Sequence, residues 1–140
     1  MEKPLELSRY CVPFTPFKRK LEESLFCLVS TAGVRAKSDK PFEKEGDNSF
    51  RRIDGSLSAS ELAVDDSHYD HGCIDKDLNC VFPIDRLRSL GREQRIAGLT
   101  EQHFAMGFSQ NLKEVRDTTV PQIARAVAAT RPDAVLLTGG

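Results

Sequence analysis

The sequence predicts an α/β fold: a mostly parallel sheet with flanking helices, incomplete at its C-terminus. Three observations carry this reading. Leu25-Phe26-Cys27-Leu28-Val29-Ser30 is an almost unbroken apolar run of strand length that stops at Thr31-Ala32-Gly33, the pattern of a buried strand running into a glycine turn. Asp133-Ala134-Val135-Leu136-Leu137-Thr138 is a second such run and stops at Gly139-Gly140. Before it, Val120, Ile123, Ala124 and Val127 fall at i, i+3, i+4 and i+7, the spacing of one apolar helix face. Strand, helix and strand in that order favour parallel pairing.

The remaining elements follow from local signals. Residues 1–24 read as an N-terminal extension. Residues 37–66 form a long polar region whose Gly46, Asp47, Asn48, Asp54 and Gly55 are turn formers. Within it only Phe50-Arg51-Arg52-Ile53 suggests a short strand. Val81-Phe82-Pro83 opens a helix with Ile84, Leu87 and Leu90 on one side, proline being well tolerated in a first turn. Ile96-Ala97-Gly98-Leu99 suggests another short strand. The helix through Val120 takes Thr118 or Thr119 as its cap and Pro121 in its first turn, and Pro132 ends it. A strand that stops at two glycines lies at the edge where open α/β sheets bind ligands, and a helix normally follows to cover the sheet. All of residues 1–140 thus read as the N-terminal part of one domain. A frayed tail on an edge strand accounts for Gly139-Gly140 equally well.

Composition narrows the function classes. With 29% charged residues and a net charge of -1, the chain has no electrostatic case for nucleic acid or an anionic membrane. No apolar run approaches the roughly 20 residues of a membrane span. The first residues lack the apolar core of a secretory signal, so the expected location is the cytoplasm. There Cys11, Cys27, Cys73 and Cys80 should be reduced, and their spacing contains no CxxC pair.

Several blocks resemble one family. Val12-Pro13-Phe14-Thr15-Pro16-Phe17, Ser30-Thr31-Ala32-Gly33-Val34, Lys37-Ser38-Asp39-Lys40, Gly46-Asp47-Asn48-Ser49-Phe50-Arg51 and Ser67-His68-Tyr69-Asp70 open the match. The longest is Asp75-Lys76-Asp77-Leu78-Asn79-Cys80-Val81-Phe82-Pro83-Ile84-Asp85-Arg86-Leu87, and Asp133 to Gly140 closes it. Together they resemble the selenoprotein B-type subunits of glycine, sarcosine, betaine and D-proline reductases, with the D-proline branch nearest by the run Phe82 to Leu87. One stretch departs from the pattern. Where the family often has a Phe-Met-Gly-like run, Glu101 to Ser109 keeps only Met106-Gly107 and aromatic neighbours, which leaves substrate preference open.

The resemblance implies a reductase component that cleaves a C–N bond of an amino-acid-type substrate. It implies a selenocysteine (cysteine in some relatives) directly after Gly140, so this chain would carry no catalytic residue of its own. UGA encodes selenocysteine and is ordinarily read as a stop, which would account for a reading frame of this length. The implied partners are a pyruvoyl-containing subunit and a thiol reductant protein, with the pyruvoyl group on the partner and no cofactor in this chain. Alone, the chain is expected to have no turnover.

The residues expected to face substrate or partner are Thr31, Gly33, Arg51, Ser67, His68, Tyr69, His71, Thr138 and Gly139. Glycine at position 33 would let backbone approach a ligand. Arg51, or its neighbour Arg52, offers a bidentate fork for a carboxylate, against a plain surface role. His71 suits proton transfer, with an ordinary pKa of about 6.5, but a solvated turn explains it as well. His68, His71 and Cys73 are weak metal candidates, since a structural zinc site ordinarily pairs two clusters; no metal is expected. Cys27 and Cys80 read as small core residues, and Asp77 and Asn79 as helix caps or ligand contacts alike. Two other readings stay open: a non-catalytic binding or assembly module retaining the front half of the fold, and a small metal-binding protein built on the His68 to Cys73 loop.

Overall fold

The structure, a computed structural model, describes residues 16–65, 68 and 70–139. The strands are β1 Leu25–Ser30, β2 Val34–Ala36, β3 Phe50–Asp54, β4 Leu62–Val64, β5 Gly98–Leu99, β6 Gln102–Met106 and β7 Ala134–Thr138. The helices are α1 Ile84–Arg92, α2 Leu112–Glu114 and α3 Val120–Ala129, with a π-helical turn over Val115–Thr119 joining the last two.

β1 lies at the centre of the main sheet and pairs in parallel with β5, β6 and β7, while β3 runs antiparallel to β6. The fold is therefore the mostly parallel α/β sheet expected. Adjacent residues of a strand point to opposite faces, and β1 obeys this strictly. Leu28 enters one core with Ile53, Phe82, Ile84, Leu87 and Ala105. Cys27 enters the other with Phe104, Ile123 and Ala126. The first core seats α1 and the second seats α3. Phe82 and Phe104 are fully buried, each contributing on the order of 2–3 kcal/mol from apolar area removed from water.

β5 and β6 act as one interrupted strand beside β1. Leu25 and Phe26 face Gly98 and Leu99, whereas Val29 and Ser30 face Phe104 and Ala105. Three steps along β1, from Phe26 to Val29, thus span five steps from Leu99 to Phe104. The two extra residues break the ladder. Into this break His103 turns its imidazole, and its Nδ1 accepts the N–H of Leu28 at 3.1 Å.

Several expectations need correction. β7 is not a buried strand: Val135 is 41%, Leu136 36% and Leu137 73% exposed. The reason is its place in the sheet, for among the described residues it pairs with β1 alone. The helix through Val120 does not start at Thr118 or Thr119. Thr119 is itself helical and makes no side-chain cap, and the helical run begins at Leu112, capped by Asn111, whose side chain accepts from Glu114 N–H. Its buried face is Ile123 and Ala126, while Val120 and Ala124 face solvent. Leu90 is also exposed, because α1 buries only Ile84 and Leu87. In the polar region 37–66, expected as a long loop, the short strand at Phe50 forms as expected (β3), but the region also holds β4, which pairs antiparallel with β2. Cys80 is exposed, with its thiol donating to the Asp77 carbonyl at 2.7 Å. Cys27 is buried as expected.

Candidate functional site at the carboxyl edge of the sheet

The parallel strands β1, β6 and β7 end together, and the backbone after each is tied to its neighbours. Thr31 N–H donates to the Thr138 carbonyl at 3.0 Å, and Gly33 N–H to the Met106 carbonyl at 3.0 Å. Gly33 has φ 66°, a left-handed value that suits glycine. Its own carbonyl accepts from Asp65 N–H at 3.1 Å. Val81, just before α1, fastens the edge from one side. Its carbonyl accepts from Ser30 Oγ at 3.3 Å and from Thr138 Oγ1 at 2.7 Å. A Cβ placed on Gly139 would lie 3.7 Å from Thr31 Oγ1, so the chain leaving β7 passes directly beside Thr31. Thr31 and Gly139 are both exposed. Three of the sequence-derived candidates, Thr31, Thr138 and Gly139, are thus brought to one open edge.

Asn79 and Asp77 organise the turn leading to Val81. Asp77 accepts from Asn79 N–H at 3.0 Å, which caps the 3-10 turn Leu78–Cys80. Asn79 Oδ1 accepts from Asp85 N–H at 3.0 Å, satisfying one of the free donors at the start of α1. Hydrogen bonds from Asn79 hold the Asp77 carboxyl below its ordinary pKa, with the nearby Arg86 adding to the effect. Both residues therefore act as caps.

The two histidines separate. His68 stacks on Phe108, with ring centroids 3.6 Å apart and planes 19° apart. It borders a gap with Gly33, Phe42, Asp65 and Gly107 whose open volume is only ≈ 10 Å³, too small to hold a substrate. His71 instead borders a cleft of ≈ 440 Å³ between β4 and the segment 74–79. Cys73 is exposed. Among the described residues no three His, Cys, Asp or Glu side chains are arranged to hold a metal ion. Ser67 and Tyr69 lie outside the described residues, as does Cys11.

Arg51 is committed to its own neighbourhood. Its guanidinium stacks over Phe42 at 4.1 Å, donates to Ser49 Oγ at 2.6 Å and to the Lys40 carbonyl at 3.2 Å, and stands 3.7 Å from Asp47. It braces the loop before β3. Arg52 lies 5.7 Å above both Phe50 and Phe104 and donates to Gln102 Oε1.

His103 was missed by sequence reasoning. It is fully buried, and its Nε2 has no partner. Because Nδ1 accepts from Leu28, the neutral ring carries its proton on Nε2. Burial, with Arg88 nearby, lowers its pKa to about 4 against a weaker upward pull from Asp54. Burial likewise pushes the Cys27 thiol up, so it is no thiolate.

Over 128 residues, 91% of its length, the chain is 41% identical to D-proline reductase subunit gamma from Acetoanaerobium sticklandii. Over that span the chain is similar to the proline/glycine reductase family. It covers 53% of that relative's length. No family model matches the chain, and no solved structure does. The relative is one subunit of a multi-subunit reductase by its name, and among the described residues of this chain no helix is long and apolar enough to cross a membrane.

Proposed function

We propose that this chain is the front half of a D-proline-reductase-type subunit and builds the sheet edge on which that subunit's nucleophile stands. The supporting observation is the meeting of Thr31 and Gly139 at the carboxyl ends of β1 and β7, in a chain 41% identical to a D-proline reductase subunit. Nucleophiles of α/β proteins sit at this edge. A selenocysteine or cysteine after Gly140 would emerge beside Thr31, with the loops after β1 and β6 as the walls of the site.

The reaction in this reading is reductive opening of a C–N bond in an amino-acid-type substrate, D-proline being the favoured choice. Two thiols give up two electrons and two protons, the C–N bond breaks, and carbon and nitrogen each gain a hydrogen. A selenolate or thiolate supplies the soft nucleophile for this step, and a pyruvoyl group on a partner subunit supplies activation of the amine. The residues of this chain position. Val81 holds the ends of β1 and β7 together. A thiol protein then restores the reduced state. Cytoplasmic location fits this thiol chemistry.

The exposed apolar side chains of β7 support the same reading. A parallel strand is ordinarily covered on both faces, and the remainder of a longer subunit would provide that cover.

Reading the coding DNA past the last codon tests the proposal. A UGA codon followed in frame by a Gly-Thr-Cys-like turn is the expected result. A UAA or UAG codon with no coding sequence beyond it would leave the assembly-module reading instead. With the full subunit in hand, D-proline-dependent oxidation of a dithiol in the presence of the pyruvoyl partner should be abolished by replacing the residue after Gly140 with serine.

A further inference from the structure

The cleft of ≈ 440 Å³ between β4 and the segment 74–79 shares no lining residue with the sheet edge, and its volume is in the range of small-molecule sites. Its apolar floor is Leu62, Val64, Ile74 and Leu78. Its charges are unevenly satisfied. Asp77 is paired with Arg86 at 2.6 Å and Asp85 with Arg88 at 2.9 Å, both arginines standing outside the cleft lining. Asp85 also accepts from Ala59 N–H and Asn79 Nδ2, so its lone pairs are occupied. Lys37 spends one donor on the Ser60 carbonyl at 2.7 Å and has two more. Among the described residues, exposed Lys76 and Asp75 have neither hydrogen bond nor ion pair through their side chains. Two ammonium groups and one carboxylate therefore remain to be matched above an apolar floor.

We propose that this cleft binds a small organic carboxylate with a compact apolar body, its carboxylate between Lys37 and Lys76 and its hydrocarbon on Ile74 and Leu78. Asp75, in the same lining, is the carboxylate that would take an amine where the ligand carries one. The proposal does not depend on the reductase reading, since no residue of the sheet edge takes part.

Nuclear magnetic resonance titration of the 140-residue chain tests it with three five-membered-ring probes: cyclopentanecarboxylate, proline and pyrrolidine. Both carboxylates should shift the Ile74 methyl and the Lys76 and Leu78 amide signals, and pyrrolidine should not. Lys76→Gln and Lys37→Gln should each weaken binding of both carboxylates by about threefold to fivefold, the range one solvent-facing ion pair supports. Asp75→Asn should weaken proline and leave cyclopentanecarboxylate unchanged. All three positions are exposed, so the variants keep the fold. Equal response to pyrrolidine, shifts confined to Thr31 and Gly139, or binding indifferent to both lysine replacements would overturn the assignment.

Discussion

His103 Nδ1 accepts the backbone N–H of Leu28, so a side chain of β6 takes the place of a ladder carbonyl at the centre of the sheet. The ring must be neutral to accept, and its pKa of about 4 against an ordinary 6.5 follows from burial. The unfolded chain thus binds more protons than the folded one between these values. Stability is fully present above pH 6.5 and falls as pH drops toward about 4, by on the order of 3 kcal/mol in total. His103→Gln should be less stable at neutral pH and show a flatter profile in that window. Urea midpoints measured at half-unit pH steps check both; an unchanged slope in the variant would remove His103 as the cause.

Gly107 leaves room for nothing larger. A Cβ there would stand 2.7 Å from Phe42 Cδ1 and 3.3 Å from Asp47 Cβ, and Phe42 is held in place by Arg51 above it. Gly107→Ala should therefore cost about 1–3 kcal/mol, as overpacking does, read as a lower denaturation midpoint with the same urea dependence.

Thr138→Val removes one of two hydroxyls on the Val81 carbonyl and should cost about 1 kcal/mol. Ser30→Ala removes the other. The double variant should lose more than the sum of the two, because only then does the carbonyl lose both hydroxyl donors. A double-mutant cycle that closes additively would show that the two hydroxyls do not share this acceptor.

Leu137→Glu changes a side chain that is 73% exposed, so folding stability should move by no more than about 0.5 kcal/mol. Self-association of the 140-residue chain should fall, since the substitution puts charge on an uncovered strand. Sedimentation velocity at several concentrations gives the answer. A protein monomeric before and after the change would mean that β7 is not a sticky surface.

What the sequence discloses about this fold depends on how each element is buried. β1 was legible because both of its faces enter a core, giving an unbroken apolar run. α1 was legible from Pro83 and the spacing of Ile84 and Leu87. β6 was not, because a histidine occupies a core position that pattern reasoning reserves for an apolar residue. β7 was located correctly but read as buried, since an apolar run says nothing of whether the neighbouring layer is present in the same chain. At the site, the strand ends pointed to Thr31, Thr138 and Gly139, which the fold gathers. The chemistry of a bidentate fork pointed to Arg51, whose guanidinium is taken up by Ser49, Lys40 and Phe42, contacts between residues too irregularly spaced to be foreseen.

The interruption between β5 and β6 contains an even number of residues, and evenness is what preserves the sheet. Leu99, His103 and Ala105 all present the same face because strand side chains alternate with period two. Deleting both Thr100 and Glu101 would keep that parity, whereas deleting either one alone would send Phe104 into the α1 core and Ala105 into the α3 core. Length variation at this position is therefore quantised in pairs.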